Sequence, residues 1–518
     1  MNAQLSALWN RVFAVLGRVS MYRLVLLSLA ALAVISLALS FAGLVGPTPG
    51  ELAATAAVLV VVCVATDAAA QRLLRLGGRI ESSLITAGIL LFVLWPTLDP
   101  AGLGGIAIAG AVAAASKYVL VWRGRHVLNP AAAGATALTL LGIAVPALGA
   151  SGWWVGAPAL ALPVALFGLA VVWRTEKVRV VLLFLVLAVG VSVVRQAVQY
   201  ATAGFAFDLG TALQFALLQS PFLFLGAFML SEPLTLPPRR WQQFAVAAVA
   251  GVLAGWPIPL GEITLGQERA LVIANLVAFA FALRQAVRLT LVSREQLAPT
   301  LAALTFRAKR RFRFEAGQYL ELDVPHRRPD ARGTRREFSI VSAPEDLPEV
   351  RIAFRDGRGA QSSYKRALAA VEPGDVLAAT GVWGDFVLPR TPAPVLLVAA
   401  GIGVTPFVSQ LRHDHLAGIA RDTVLVYVAA GADDVVFRDE LARTGVPVVV
   451  FTREDPGALP AGWRWAGGSR LDAAALRSAV PDLSARHAYI SGPAALIADL
   501  APALASAKSV ATDAFSGY

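Results

Sequence analysis

Cysteine is almost missing from this chain: Cys63 stands alone among 518 residues. One cysteine excludes an internal disulfide, a cysteine-ligated iron–sulfur cluster and a cysteine-rich zinc site within the chain. Histidine is scarce as well, with His126, His326, His413, His415 and His487 the full set. Only His126 falls in the apolar first half, so a membrane haem held by two histidines of one chain is excluded. Charge is thin. Charged residues make up 15% of the sequence, where a soluble protein carries about a quarter. The net charge is +11, but the basic residues lie mostly between apolar runs, where membrane loops place them, so nucleic acid is not the expected partner.

Apolar residues are abundant, at 57% with a mean hydropathy of +0.65. They crowd the sequence before residue 290, and the remainder has the composition of a soluble domain. The first apolar run follows Arg11, Arg18 and Arg23 and reads as an anchor, with no convincing cleavage site. About ten apolar spans can be drawn, near 24–45, 52–70, 82–98, 101–120, 131–148, 156–173, 178–195, 211–230, 242–256 and 268–285. Alternate loops carry Arg72, Arg75 and Arg79; Lys117, Arg123 and Arg125; Arg174, Lys177 and Arg179; Arg239 and Arg240; Arg284 and Arg288. That asymmetry predicts a multi-pass protein of the inner, cytoplasmic membrane, lipid-embedded, with both termini and the soluble part in the cytoplasm. No charged path through the spans is visible in the sequence, and ion coupling stays open.

Two loop stretches on the cytoplasmic side stand out, GRHVLNPAAAGAT at 124–136 and MLSEPLTLPP at 229–238. On residue chemistry alone Asn129 caps a helix that opens with Pro130, while Pro233 and Pro237 end one. With this spacing and sidedness the pair resembles the D-type membrane component of Rnf electron-transport complexes and its relative, the B-type membrane component of the sodium-translocating NADH:quinone reductase. The resemblance covers roughly residues 20–290. It implies a second flavin, FMN or riboflavin, beside Asn129. Those families hold FMN through a threonine in an SGAT-like motif. The corresponding outer segment here reads Phe207-Asp208-Leu209-Gly210-Thr211-Ala212, so Thr211 is present without its motif. Asp208 and Glu262 fall at outer edges and read as solvated loop positions.

The soluble half reads in two parts. Residues 287–301 form the crossing from the membrane. Short alternating strands with turn signals then run to about residue 390 and predict a small antiparallel barrel. It carries Arg336-Glu337-Phe338-Ser339. Alternation puts Arg336 and Phe338 on one face and Ser339 on the other. A guanidinium suits a pyrophosphate, an aromatic plane suits a ring system, and a hydroxyl can bond its edge. Gly357-Arg358-Gly359-Ala360-Gln361-Ser362-Ser363-Tyr364 then opens an expected helix and offers N–H groups and hydroxyls to an anion.

From Pro394 the pattern becomes strand–helix alternation, which predicts a doubly wound parallel sheet. Its first strand runs into Gly401-Ile402-Gly403-Val404-Thr405-Pro406, and a later strand ends on Ser491-Gly492-Pro493. Both segments sit at strand carboxyl ends, where such sheets bind ligands.

The ordered set RxFS, GxxSS, GxGxTP and SGP resembles the ferredoxin–NADP reductase superfamily over about residues 295–518. The resemblance implies FAD on the barrel and NADH or NADPH on the sheet. Arg336 would pair with the FAD pyrophosphate, Phe338 would pack on the isoalloxazine, and Ser339 would lie near N5. Gly359, Ser362 and Ser363 would help hold the pyrophosphate. Gly401, Gly403, Thr405 and Pro406 would take the nicotinamide cofactor's phosphates, and Gly492 and Pro493 would sit by its nicotinamide. Many relatives have CGP where this chain has Ser491-Gly492-Pro493, so Ser491, like Ser339, is a candidate catalytic residue. Tyr518, or Phe515, would cover the flavin. Arg453 could meet a 2′-phosphate, but Glu454 and Asp455 beside it oppose one, so NADH and NADPH both stay open.

The expected domains are a polytopic membrane domain at 1–290, an FAD-binding barrel at 291–392 and an NAD(P)-binding α/β domain at 393–518. The expected function is a membrane flavoprotein oxidoreductase. It would take hydride from NAD(P)H onto FAD and pass electrons through the membrane domain to a quinone or an extracytoplasmic flavoprotein. The rival expectations are a flavin or solute transporter with a fused reductase, and a membrane-anchored diaphorase. Oligomeric state is not readable from the sequence.

Overall fold

The structure is a computed structural model that describes residues 21–74, 80–122, 125–175, 177–237, 239–282, 287–327, 334–356, 362–467 and 471–514. Gly359, Phe515 and Tyr518 lie outside these residues. The chain divides into two compact units, Met1–Arg284 and Gln285–Tyr518.

The first unit is helical: α1 Met21–Phe41, α2 Pro49–Leu73, α3 Ile80–Val93, α4 Pro100–Val119, α5 Pro130–Ala144, α6 Pro158–Arg174, α7 Val178–Thr202, the bent pair α8 Leu209–Gln219 and α9 Phe222–Leu230, α10 Arg240–Gly255 and α11 Gln267–Ala282. Two short hairpins join them, β1 Val121–Trp122 with β2 Arg125–His126, and β3 Ile258–Leu260 with β4 Ile263–Leu265. Three of these helices open on a polar cap followed by proline: Thr48-Pro49, Asp99-Pro100 and Asn129-Pro130. The cap oxygen takes an orphan N–H, and proline has none to lose. Helix α2 packs on α3 and α4, and α4 on α5; α7 packs on α10, and α10 on α11. Helix α1 packs on α6, and α5 on α11.

The expected count of ten spans is not supported. Among the described residues α1, α2, α4 and α7 are long and apolar enough to cross a membrane, and the α8–α9 pair, bent by 48°, makes a fifth. The remaining helices fall short. Helix α3 has 14 residues, a rise of about 21 Å against a hydrocarbon core of about 30 Å. The apolar runs are present as drawn, but proline and glycine punctuation cuts several of them into shorter helices.

A charged pair lies inside this unit, where the sequence showed none. Lys117 Nζ meets Asp67 Oδ2 at 2.9 Å, and both residues are buried. Ser83 Oγ donates to the same carboxylate oxygen at 2.5 Å, and Lys117 also donates to Ser82 O at 3.0 Å. Lys117 is thus no loop cation. It turns inward because Asp67, one helix away, compensates its charge.

The second unit begins within the stretch read as a crossing: residues of β5, Val287–Ala298, already belong to the barrel. Its strands β5, β6 Leu301–Ala308, β7 Tyr319–Asp323, β8 Arg335–Ser339, β9 Glu349–Arg355 and β10 Val376–Trp383 pair antiparallel in the order β8-β7-β10-β5-β6-β9. A bridge between Ile340 and Ile352 brings the two edges together. Helix α12, Ser363–Ala369, covers one end.

A parallel sheet follows, with β11 Val395–Ala400, β12 Thr423–Val428, β13 Val448–Phe451, β14 Trp463–Trp465, β15 His487–Gly492 and β16 Ser509–Ala514 in the order β14-β13-β12-β11-β15-β16. Helices α13 Thr405–Leu416, α14 Arg438–Arg443, α15 Ala473–Ala479 and α16 Ala494–Leu504 connect them. All of β11 is buried except its last residue, as expected of a central strand covered on both faces. Barrel and sheet share a core in which Ala298, Leu301, Val341 and Phe386 pack with Val395, Phe407 and Tyr427. Ser409 Oγ donates to Ser342 O at 2.8 Å, and Arg412 clasps Asp346 at 2.8 and 2.7 Å.

Candidate functional site

Strand order places the sheet's switch point between β11 and β15, because the chain leaves β11 toward β12 and returns on its other side. The GxGxTP turn leaves β11 there, and Ser491-Gly492-Pro493 ends β15 there. They touch. A Cβ on Gly403 would lie 2.3 Å from Ser491 O, and one on Gly492 would lie 2.9 Å from the Ala400 Cβ. Gly401 has φ +53°, the left-handed region that glycine enters without a Cβ penalty. Thr405 Oγ1 donates to Ile402 O at 2.9 Å, closing the turn, so backbone N–H groups are what the turn offers an anion. Pro406 is buried in the first turn of α13, and Pro493 is exposed at the start of α16. Ser491 is fully buried, and its Oγ has no hydrogen-bond partner among the described residues. A buried hydroxyl without a partner costs about 1–3 kcal/mol. At a switch point this points to a ligand that completes it.

On the barrel, Arg336 and Phe338 share a face, and what they share there is Tyr364. The Arg336 guanidinium lies 4.8 Å over the Tyr364 ring, and the Phe338 ring stacks on it at 6.1 Å and 27°. Tyr364 donates its hydroxyl to Leu322 O at 3.0 Å. Burial, with Arg336 acting the other way, pushes its phenol well above the ordinary range. Ser339, on the opposite face, is buried. Ser362 caps α12, its Oγ accepting from Lys365 N at 3.2 Å. Ser363 Oγ lies 3.1 Å from His326 Nε2. A guanidinium, an aromatic face and the capped start of a helix thus gather at one end of the barrel, a donor set that fits a dinucleotide's pyrophosphate and ring. Arg355, at the end of β9, reaches the glycine turn: its Nη2 lies 3.4 Å from where a Gly401 Cβ would be.

Sequence reasoning reached Tyr364 only as the end of a segment and gave His326 and Arg355 no role. An aromatic directly after Ser-Ser was the available signal for the first. The other two are long-range contacts that leave no local pattern.

In the helical unit the two loop stretches meet at Glu232. Its Oε2 accepts from Asn129 Nδ2 at 2.8 Å, and its Oε1 faces His126 Nδ1 at 3.1 Å. Asn129 also caps α5 through Ala132 N at 3.1 Å, and its own N–H donates to Asn275 Oδ1 at 2.8 Å. Asn129 is both cap and tie. Glu232 follows a π-helical segment, Leu225–Leu230, a rare form found mostly at functional sites. Thr211 takes no part: its N–H donates to Asp208 Oδ2 at 2.6 Å, and the residue is exposed. Among the described residues no group of His, Cys, Asp or Glu is arranged to hold a metal.

No family model matches the chain. Over 155 residues it is 39% identical to ferredoxin–NADP reductase B of Sorangium cellulosum, a match covering 29% of this chain and 61% of that protein. The C-terminal region matches ferredoxin–NADP reductase-like, FAD/NAD-binding reductases. It is also 33% identical over 187 residues to a flavohemoprotein of Deinococcus radiodurans, covering 35% of this chain and 45% of that one. The chain therefore spans between two fifths and two thirds of these relatives' lengths. Among solved structures, the flavohem-like FAD/NAD-binding domain of a Vibrio cholerae nitric oxide dioxygenase aligns with 45% of this chain and 99% of its own, at 18% identity and TM-score 0.38. None of these matches speaks to an Rnf-like origin of the helical unit.

Proposed function

We propose that the chain is an NAD(P)H-dependent FAD oxidoreductase whose helical unit sits in the membrane and takes up the electrons. The observation that carries the reductase reading is the partnerless hydroxyl of Ser491, buried where the GxGxTP turn touches β15, in a unit whose barrel presents Arg336, Phe338 and the start of α12. The relatives' names support the same chemistry. Arg336, Ser362 and Ser363 would hold the FAD pyrophosphate, with Phe338 against the ring and Ser339 at its edge. Gly401 and Gly403 would let the nicotinamide cofactor's phosphates approach the backbone N–H groups of the turn, with Ser491, Gly492 and Pro493 at its nicotinamide. When bound, FAD supplies the step from a two-electron donor to single-electron acceptors. The protein supplies position and the exclusion of water.

The finer part of the proposal concerns the acceptor. A second flavin, FMN or riboflavin, beside the Asn129–Glu232 tie would relay electrons to a quinone or an extracytoplasmic flavoprotein, at the inner membrane with the reductase unit cytoplasmic. The polar node supports this over a bare anchor, because an anchor needs no partly buried Asn–Glu–His tie. The test is a flavin inventory of the detergent-purified full chain, with acid-released FAD and FMN and covalently retained flavin measured separately. FAD plus a second flavin per chain is the expected result. FAD alone removes the relay and favours the anchor or transporter readings, and no FAD removes the reductase reading.

A further inference from the structure

The barrel carries a surplus of positive charge in one place. From the end of β6 the chain runs Arg307-Ala308-Lys309-Arg310-Arg311-Phe312-Arg313, five cations in seven residues with no carboxylate. Arg288, read from the sequence as a loop cation of the last span, belongs to the same patch. It lies on β5, and its carbonyl accepts from Lys309 N at 2.9 Å. The loop is pinned to the barrel. Ala308 N donates to Pro348 O at 2.8 Å, Phe314 is buried, and the Phe312 ring stacks on it at 5.8 Å and 26°. Arg288, Lys309, Arg311 and Arg313 are exposed and meet no carboxylate among the described residues. The neighbouring acids are taken by other cations: Glu349 pairs with Arg307 at 3.1 Å, and Glu315 lies 3.8 Å from Arg390.

We propose that this patch docks the reductase unit on anionic lipid headgroups. The inference rests on reading the helical unit as embedded in the membrane. Given that reading, the tether selects the partner. Arg288 follows Ala282, the last residue of α11, by six residues, a reach of about 20 Å at full extension. Lipid headgroups are therefore present at a high effective concentration, whereas a soluble acidic protein has to be captured from solution. Each cation brought close to an anionic leaflet raises the docked population about fivefold, and the gain fades within a Debye length. One such contact holds little, but four that are unpaired within the protein act together. Docked in this way, the barrel stays at the membrane surface, where its electrons are to be handed on.

The test uses the full chain in nanodiscs made of phosphatidylcholine alone or of equal parts phosphatidylcholine and phosphatidylglycerol, with an acceptor dye on some of the headgroups. A donor dye on Ala378→Cys reports the approach. Ala378 is exposed on β10 directly opposite Arg288, and the native Cys63 is buried. Energy transfer should be higher in the anionic discs. The excess should vanish between about 0.1 M and about 1 M salt, as the Debye length falls from about 10 Å to about 3 Å. Arg311→Glu with Arg313→Glu should lower the docked-to-free ratio at least about twenty-five-fold, with bound FAD unchanged. Arg443→Glu with Lys508→Glu makes the same change of net charge at exposed positions of the α/β domain and should leave transfer as in the parent chain. Equal transfer in the two disc types overturns the inference and leaves the patch to an acidic protein. An excess that survives Arg311→Glu with Arg313→Glu, or an equal loss in both double variants, overturns it as well. A chain that stays in solution without lipid or detergent overturns the membrane reading itself.

Discussion

Gly403→Ala is the sharpest probe of the switch point. The new Cβ would stand 2.3 Å from Ser491 O, 2.8 Å from Ser491 C and 3.2 Å from Gly492 N. All three are backbone atoms, so no side chain can swing aside. Relief needs about 1 Å of movement between the turn and the end of β15, and overpacking of this kind costs about 1–3 kcal/mol. In a unit of this size that lowers Tm by several degrees, at roughly 2–4 °C per kcal/mol. The displacement falls on the Ser491–Gly492 peptide, which the proposal puts beside the nicotinamide. A misplacement of about 1 Å at a reacting centre costs on the order of a hundredfold in rate. The assay is stopped-flow reduction of bound flavin by NADH and by NADPH, with FAD content and Tm measured on the same preparation. FAD content should hold, because the barrel is untouched, while the reduction rate collapses. Gly401→Ala is the internal control. There the nearest atom is the tip of Arg355 at 3.4 Å, and the obstacle is φ +53°, a backbone cost of about 1 kcal/mol. It should weaken the turn without pushing β15, so its rate loss should be much the smaller. Wild-type reduction and Tm in Gly403→Ala, or equal losses in both variants, would refute the reasoning.

In the helical unit, Lys117→Met strands the Asp67 carboxylate and should destabilise by about 3–5 kcal/mol, whereas Asp67→Leu with Lys117→Met should recover most of that; thermal unfolding in detergent that ranks the double variant no better than the single contradicts this. Glu232→Ala removes the acceptor shared by Asn129 and His126. The proposed second flavin should be lost while FAD is retained, and an unchanged inventory would separate the node from any cofactor. Acid should loosen the seam between barrel and sheet at Asp346. Burial raises its pKa, but the Arg412 guanidinium and the Ala343 N–H more than offset this and hold the carboxyl below the usual range. Its contribution is therefore full above the ordinary carboxylate pKa and disappears as pH falls through the lower folded value. Asp346→Asn should flatten the fall in stability of this unit below the ordinary carboxylate range, relative to wild type, in thermal unfolding followed against pH.

Much of the second unit was legible because its chemistry is local. The strand Val395–Ala400, the glycine turn and the helix after it are contiguous, and so are Arg336, Phe338 and Ser339 on one strand. Period-two alternation sufficed to set Arg336 and Phe338 on one face, and both indeed meet Tyr364. What sequence could not supply was the company each residue keeps across the fold. Residues 37 apart bring His326 to Ser363, and the Arg355 tip comes to Gly401 across the seam between barrel and sheet. The crossing stretch misled for a related reason. VRLTLVSREQLA is an alternating strand by pattern, but its place directly after the apolar runs invited a linker reading.

The helical unit was misread through the one property that made it conspicuous. Hydropathy reports that a segment is apolar, not that it is long, and several apolar runs here break at Pro or Gly before reaching a membrane's thickness. The same averaging hides single charges. Asp67 sits within the long apolar helix Pro49–Leu73, and Lys117 looked like one more loop cation because it closes an apolar run. Each alone would be costly to bury, and only the pair at 2.9 Å makes the burial tolerable. Glu232 follows the same logic. Read along the chain it ends a helix, but in space its two oxygens divide between His126 and Asn129, residues more than 100 positions away. Compensation between distant charges and dipoles is thus what the sequence withheld in both units, and in the helical unit it is where the proposed electron path can be tested.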